Sequence, residues 1–221
     1  MELLFLYKKH LVGDIWEFYF QKPAGFSFDA GDYIEMSIKD VGSHWVSMSS
    51  SPHETDIRYT VKISADNPSK FKMAIQQLSE SDTVLSSPAI GNFNIPRNPE
   101  PVLLIAAGIG ITPYRSMLLD LVQSNRKNQL QQTTLVYGAK KNQLIYKSEL
   151  EQINFKLIAQ EKRITYEDIA LAVDDISEQH IYLAGPEEFC VDLYKQLFEL
   201  GHPKHKLRLS YFPGYPGPWN E

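Results

Sequence analysis

Short segments of alternating apolar and polar residues fill the first hundred positions. Residues 57–63 alternate cleanly, as expected of a half-buried strand, and residues 15–20 and 33–38 are rich in aromatic and aliphatic side chains. Turn sequences such as Asp29-Ala30-Gly31-Asp32 separate these segments. Several short strands at this spacing predict a small antiparallel β-barrel or sandwich.

One helix interrupts these strands. Ser69 follows Pro68 and is predicted to be its N-cap, because a serine hydroxyl accepts a hydrogen bond from the first turn. Phe71, Ile75 and Leu78 then form one apolar stripe at helical spacing, which predicts a helix that packs against the strands.

The pattern changes after residues 97–101, a plausible linker. Residues 102–106 are entirely apolar, as expected of a strand covered on both faces. Alternating strands and helices predict a parallel sheet with helices on both faces. The division predicted is an antiparallel β-barrel at 1–97 and an α/β domain at 98–221. The predicted elements of the second half are strands at 134–137, 155–158, 181–184 and 206–210, and helices at 112–122, 148–153, 166–173 and 187–200.

A glycine-rich turn lies between the strand at 102–106 and the next helix. Gly108 and Gly110 permit a tight turn and close backbone approach to a diphosphate. Thr112 is predicted to cap the helix and Pro113 suits its first turn, so that N–H groups and the positive end of the helix dipole face an anion. The alternative is a tight strand-to-helix turn without a ligand.

The common dinucleotide fingerprint does not fit this turn. Pro113 stands where its third glycine would be, and the next strand ends at Tyr137-Gly138-Ala139-Lys140, without a carboxylate. A further junction, at Gly185 and Pro186, opens another helix. Because all three junctions follow parallel strands, they are expected to meet at the carboxyl edge of the sheet, where such sheets bind ligands.

Composition excludes several other classes of protein. The net charge of −5 argues against nucleic acid as a partner, and the single cysteine, Cys190, excludes an intrachain disulfide or a four-thiolate cluster. His202 and His205 lack a third candidate ligand, so no metal site is predicted. The longest apolar run, 101–113, is short of the ~20 residues of a membrane helix, and a cytoplasmic protein without a membrane span is expected.

Six segments in order resemble motifs of the ferredoxin–NADP reductase superfamily of flavoenzymes. Residues 106–113 resemble its G-G-x-G-[IL]-[TA]-P motif, residues 137–140 its Y-G-x-R/K, and residues 184–186 its C-G-P. Residues 44–52 resemble R-x-Y-S-x-x-S-x-P. Residues 68–72 lie where the family binds the FAD diphosphate, and residues 86–93 match the element that closes its barrel.

The resemblance implies FAD and NAD(P)H as cofactors and a role for each motif. Ser47 would be the catalytic residue, hydrogen-bonded to flavin N5. The implied nicotinamide-nucleotide residues are Gly108, Gly110, Thr112 and Pro113. The implied adenosine and ribose residues are Tyr137, Gly138, Lys140, Gly185 and Pro186. The implied FAD-binding residues are His44, Trp45, Val46, Ser47, Ser69, Lys70, Phe71 and Phe212, and Lys62 is a further implied cofactor-binding residue.

Five positions depart from the family pattern, one of which is Ala107 in place of the first glycine of the turn motif. His44 replaces the arginine that meets the FAD diphosphate, and Val46 replaces the tyrosine that covers the flavin. Ala184 replaces the reactive cysteine, and Ser210 stands where many relatives have a glutamate. The aromatic tail at 211–219, with Phe212, would either supply the missing ring or pack elsewhere on the surface.

The function implied is transfer of a hydride from NAD(P)H to FAD and of electrons to a separate acceptor. That acceptor would be a ferredoxin- or flavodoxin-like protein, an oxygenase component or a small molecule. Two alternatives stay open: a reductase that uses flavin as a dissociable substrate, and a non-catalytic relative that keeps the fold. Lys140 with Lys141 would either reach a 2′-phosphate, which favours NADP, or form a solvated pair.

Overall fold

The first half of the chain is a six-stranded antiparallel sheet, curved into an open barrel with strand order β4-β3-β6-β1-β2-β5. The structure, a computed structural model, describes residues 1–64 and 68–210. The predicted N-terminal β-barrel is confirmed, as one curved sheet rather than a sandwich. The strands are β1 (Glu2–Val12), β2 (Ile15–Gln21), β3 (Tyr33–Ile38), β4 (Gly42–Ser47), β5 (Asp56–Lys62) and β6 (Thr83–Ser86).

Strand β5 shows how the alternating pattern forms the barrel. Ile57 and Tyr59 are fully buried in the barrel core, because successive side chains of a strand point to opposite faces. Lys62 lies on the other face, toward the second half of the chain. Just beyond β4, the Ser49 N–H donates to the Arg58 carbonyl at 2.8 Å and brings the two outer strands together.

Helix α1 (Lys70–Gln77) lies between β5 and β6. Its N-cap is Ser69, whose hydroxyl accepts a hydrogen bond from the Lys72 N–H at 3.3 Å. Phe71 and Ile75 are buried in the barrel core. Both the predicted cap and the predicted apolar stripe are therefore confirmed.

The second half is a five-stranded parallel sheet with strand order β11-β10-β7-β8-β9. The strands are β7 (Val102–Ala107), β8 (Thr133–Gly138), β9 (Lys156–Gln160), β10 (His180–Ala184) and β11 (Leu207–Ser210). The helices are α2 (Ile111–Gln123), α3 (Lys127–Gln131), α4 (Lys147–Leu150), α5 (Tyr166–Ala170) and α6 (Glu187–Glu199). None of the helices in the two described ranges has the length and apolar character needed to cross a membrane.

The apolar run of β7 is buried on both faces of this sheet. Leu104 packs in one hydrophobic cluster with Tyr114 of α2, whereas Leu103 and Ile105 pack in a second cluster with Phe189 of α6. Each face of the strand therefore needs its own apolar side chains, which explains the absence of alternation. The prediction of helices on both faces is confirmed.

The barrel contributes side chains to the hydrophobic cluster around α2. Ile15 and Phe93 belong to that cluster, and the Phe93 ring centroid lies 5.9 Å from that of Tyr114 and 5.2 Å from that of Tyr182. One hydrophobic cluster therefore extends across both halves, next to a separate cluster inside the barrel. The division at residue 97 stays a prediction.

The start of α2 differs from the prediction. Gly108–Gly110 form a turn of 3₁₀-helix, Gly110 is the N-cap, and α2 begins at Ile111. The prediction that Thr112 caps the helix was wrong. The chain already has helical backbone angles at Gly110 (φ −60°, ψ −7°), so Thr112 lies buried inside the first turn.

Candidate functional site

Three strand-to-helix junctions of the parallel sheet line one cavity of about 500 Å³. Gly108 follows β7, Gly138 ends β8, Lys140 lies just after it, and Pro186 follows β10, so all four lie at the carboxyl edge. Lys62 of β5 lines the same cavity from the barrel side. The structure thus brings five predicted binding residues together between the two halves of the chain.

The two glycines of the turn have different roles. Gly108 has a left-handed backbone (φ +56°), and a Cβ at this position would meet nothing within 4 Å. Gly110 is buried, and a Cβ there would overlap the Ala184 carbonyl and lie 2.6 Å from the Gly185 nitrogen. Gly108 therefore faces open space beside the cavity, whereas Gly110 is a glycine because the β10–α6 junction packs against its backbone.

Several predicted nucleotide-binding residues lie behind the cavity rather than in its wall. Thr112 and Pro113 are buried in the first turn of α2. Tyr137 is fully buried, and its hydroxyl donates to the Gln143 carbonyl at 3.4 Å. Gly185 packs so closely against Ala107 that a Cβ at position 185 would lie 2.8 Å from the Ala107 side chain. These residues determine the shape of the junctions, and their direct contact with a ligand stays a prediction.

The cavity has charged residues that the sequence analysis did not select. Glu161, Lys162 and Arg163 follow β9 and line the cavity together with Lys140. The Lys162 ammonium also pairs with an Asp168 carboxylate oxygen at 2.9 Å. The available signal was their place shortly after the predicted strand at 155–158, which puts them at the same edge of the sheet.

A second group of predicted residues surrounds the N-terminus of α1. Lys70 is exposed, whereas Lys72 is half-buried and close enough to Lys62 and Asp14 for their charges to act on it. Burial lowers the pKa of Lys72, Asp14 raises it and Lys62 lowers it, so that the pKa lies below its ordinary value. Lys72, which was not selected from the sequence, therefore continues the basic surface from the cavity to α1.

His44 of β4 lies next to this basic surface. Its ring centroid is 5.3 Å from that of Phe71, which is buried in the barrel core. Burial and the charge of Lys72 lower the pKa of His44 below its ordinary value of 6.5. The imidazole is therefore mostly neutral at pH 7. Since the Phe71 side chain is internal, its predicted contact with a diphosphate would use the backbone N–H.

Strand β4 divides the predicted flavin-binding residues between its two faces. Val46 is buried in the barrel core, whereas Trp45 and Ser47 alternate with it and lie on the opposite face. Tyr33 of β3 is directly opposite Ser47, and its ring centroid is 5.3 Å from that of Trp45 in an edge-to-face contact. The aromatic side chains beside Ser47 are therefore Tyr33 and Trp45.

Ser47 is the predicted catalytic residue, and Phe212 is the predicted aromatic residue of the tail. Ser47 is buried and is not among the residues that line the cavity described above. Phe212 lies outside the residues that the structure describes, as does the rest of the aromatic tail at 211–219. The catalytic role of Ser47 and the aromatic role of the tail stay predictions.

Comparison with known proteins supports the same two-part architecture. Residues 104–195 match the oxidoreductase NAD-binding domain family. Terephthalate 1,2-dioxygenase, reductase component 1, from a Comamonas species is 32% identical over 120 residues, which are 54% of this chain and 34% of that protein. The chain spans about a third of the length of the dioxygenase reductase components that it matches.

Solved structures extend the similarity to nearly the whole chain. The flavohem-like FAD/NAD-binding domain of nitric oxide dioxygenase from Vibrio cholerae has a TM-score of 0.78 at 21% identity, with 95% of this chain and 97% of that chain covered. Ferredoxin–NADP⁺ reductase from Neisseria gonorrhoeae has a TM-score of 0.78 at 18% identity, with the same coverage. This chain thus has the two-domain fold of the ferredoxin–NADP⁺ reductase-like proteins, and its residues 104–195 match the oxidoreductase NAD-binding domain family.

Proposed function

We propose that this chain is an NAD(P)H-dependent flavin oxidoreductase that passes electrons to a separate acceptor. The observation that carries the proposal is the cavity between the Gly108 turn, the Pro186 junction and Lys62. It lies at the carboxyl edge of a parallel sheet, where nucleotides bind, and the barrel forms part of its wall.

The residues around α1 fit the diphosphate of FAD. The first N–H groups of a helix have no acceptor within the helix and carry a partial positive charge. Lys72 and Lys62 add positive charge beside this end of α1. When bound, FAD accepts a hydride from a reduced nicotinamide nucleotide and releases electrons singly or in pairs.

The residues at the sheet edge fit the nicotinamide nucleotide. The left-handed backbone of Gly108 leaves space for a phosphate to approach the start of α2. Lys140 and Arg163 add positive charge to the cavity, and Pro186 forms the wall next to α6. Lys62 lies where the two sites meet and would neutralise negative charge from either nucleotide.

The relatives favour a protein as the electron acceptor. The dioxygenase reductase components that resemble this chain are parts of multicomponent systems by their names, as is the reductase subunit of a stachydrine N-demethylase. By analogy, an oxygenase component is the first acceptor to test.

A second candidate function is supported by β4. His44 is a mostly neutral group where the family has an arginine, and Val46 points into the barrel where the family has a covering tyrosine. Both features weaken contacts to FAD, as expected of an enzyme that binds flavin as a dissociable substrate. Purified protein with about one FAD per chain would contradict this alternative.

Anaerobic stopped-flow absorbance tests the proposed function. The FAD-loaded protein is mixed with NADH and, separately, with NADPH. We expect bleaching of the flavin band near ~450 nm, and the faster nucleotide identifies the donor. A protein that holds FAD but bleaches with neither nucleotide would be a non-catalytic relative.

A further inference from the structure

Arg115 is a buried cation at the interface between the two halves. It lies one turn into α2, after the Gly108–Gly110 turn, and only 1% of its side chain is exposed. The Tyr146 ring covers the guanidinium at 5.1 Å. Burial of a charge is unfavourable unless its hydrogen-bonding groups are satisfied, so its partners decide what the residue can do.

The five N–H groups of Arg115 make five hydrogen bonds. Nε and Nη2 each donate to Glu149 at 2.7 Å, within the second half of the chain. Nη1 and Nη2 donate to Glu54 of the barrel at 2.9 and 3.1 Å, and Nη1 also donates to the Ser49 carbonyl at 2.6 Å. The planar fork thus holds a carboxylate from each half and the backbone of the loop that follows β4.

Glu54 is the barrel partner of this arrangement. Its carboxylate also accepts hydrogen bonds from the Ser51 N–H at 2.7 Å and from Arg58 at 2.8 Å. Burial raises the pKa of Glu54, but the hydrogen bonds from Arg115 and its charge outweigh burial, so the pKa lies below its ordinary value. The carboxylate is therefore charged at neutral pH and fixed on the loop that follows Ser47.

We propose that Arg115 is a positioning residue that holds the Gly108 turn at a fixed distance from the β4 segment that carries Ser47. This inference rests on the proposed function, in which the turn binds the nicotinamide nucleotide and Ser47 lies beside the flavin. Arg115 touches neither predicted ligand. It acts through the backbone of Ser49 on one side and through α2 on the other.

Such a residue fixes the distance between the two segments rather than adding stability. A buried ion pair is weak support for stability, because the cost of removing both charges from water offsets their attraction. A hydride donor and acceptor, however, must be held near contact distance, and misplacement by about 1 Å can slow a reaction by about a hundredfold. A fully satisfied five-donor contact across the interface is suited to this requirement.

Two neutral carboxamide variants separate positioning from stability. Glu54→Gln weakens the contact between the two halves. Glu149→Gln also removes one negative charge beside Arg115, but it affects only a contact within the second half. We expect Glu54→Gln to slow hydride transfer in stopped flow about tenfold or more and Glu149→Gln by less than about threefold. Flavin content and nucleotide Kd should stay near the wild-type values in both.

Hydrogen exchange in the flavin-free protein tests the same inference and does not require enzymatic activity. In the apo protein, Glu54→Gln should raise amide hydrogen exchange at residues 108–112, and Glu149→Gln should leave it unchanged. Asp120→Asn is the matched control, since the His53–Asp120 pair (3.1 Å) joins the same loop to the same helix at the exposed surface. We expect wild-type rates and exchange for Asp120→Asn.

The outcomes are distinct. Equal slowing by the two Gln variants, or slowing that follows only the loss of unfolding free energy, would make Arg115 merely structural and overturn the inference. If wild-type protein with bound FAD shows no hydride transfer, the proposed function fails, and the exchange experiment alone decides on Arg115. Arg115→Lys, with three donors instead of five, should slow transfer at least as much as Glu54→Gln.

Discussion

The cavity at the sheet edge and the proposed flavin-binding face of the barrel, which comprises the Tyr33 and Ser47 surface and the start of α1, depend on different kinds of information in the sequence. The cavity is formed by junctions that each occupy a few consecutive residues, such as Gly108 after β7 and Pro186 after β10. The flavin face depends on which strands pair and on how α1 is rotated, as Tyr33 and Lys72 illustrate. Local sequence therefore specifies the first region, whereas tertiary packing specifies the second.

The largest effect should come from the two glycines of the nucleotide turn. Gly110→Ala should lower the free energy of unfolding by about 3 kcal/mol, because the new Cβ would overlap the Ala184 backbone, which cannot rotate away. Gly108→Ala should lower it by about 1 kcal/mol, the cost of a left-handed backbone with a side chain. Urea denaturation measures both. Equal losses would contradict the distinction between a packing glycine and a ligand-facing one.

Nucleotide affinity should depend on Gly108, which faces the cavity, and not on the buried Tyr137 hydroxyl. Gly108→Ala should raise the Kd for NAD(P)H about tenfold, equivalent to about 1.4 kcal/mol, because the methyl group enters the space beside the cavity. Tyr137→Phe is the control and should leave the Kd within about twofold, since that hydroxyl contacts the Gln143 carbonyl. Fluorescence titration of the folded variants measures both constants. A larger effect of Tyr137→Phe would place the nucleotide elsewhere.

On the flavin face, Lys72 and Lys70 test the rotation of α1. Lys72→Ala should weaken FAD binding about fivefold, because this half-buried amine lies beside Lys62. Lys70→Ala should change the affinity by less than about twofold, since an exposed charge is screened by solvent. Titration of the apo protein with FAD gives both values, and the reverse ranking would mean that Lys70 faces the ligand.

The smallest effect should be the pH dependence of FAD binding at His44. In the flavin-free protein the lowered pKa means that the unfolded chain binds a proton more readily, so stability falls as the pH drops through about 6.5. A bound diphosphate would favour the imidazolium, so FAD affinity should rise about threefold from pH 8 to pH 6. His44→Gln should remove that rise in the same titration. An unchanged slope would assign it to another group.

The sequence predicted the alternation of strands and helices in the second half and the carboxyl-edge cavity, because periodicity and turn residues act over short stretches of chain, but it missed the short helix α3. It did not distinguish Gly108 from Gly110, since only the packing of the β10–α6 junction separates them. Lys72 was missed because Lys70 and Lys72 project from different sides of the helix, and burial of Phe71 selects which side faces Lys62. Thr112 failed as a cap because the preceding 3₁₀ turn starts the helix early.

The shared hydrophobic cluster has a consequence for cooperativity. Because Ile15 and Phe93 of the barrel pack with Tyr114 and Tyr182, the second half does not complete its hydrophobic interior without the barrel. Heating should therefore give a single calorimetric transition in which both sheets melt together. A fragment that begins near residue 98 would leave a large apolar surface uncovered and would be prone to aggregation. The two sheets would thus unfold as a single cooperative unit.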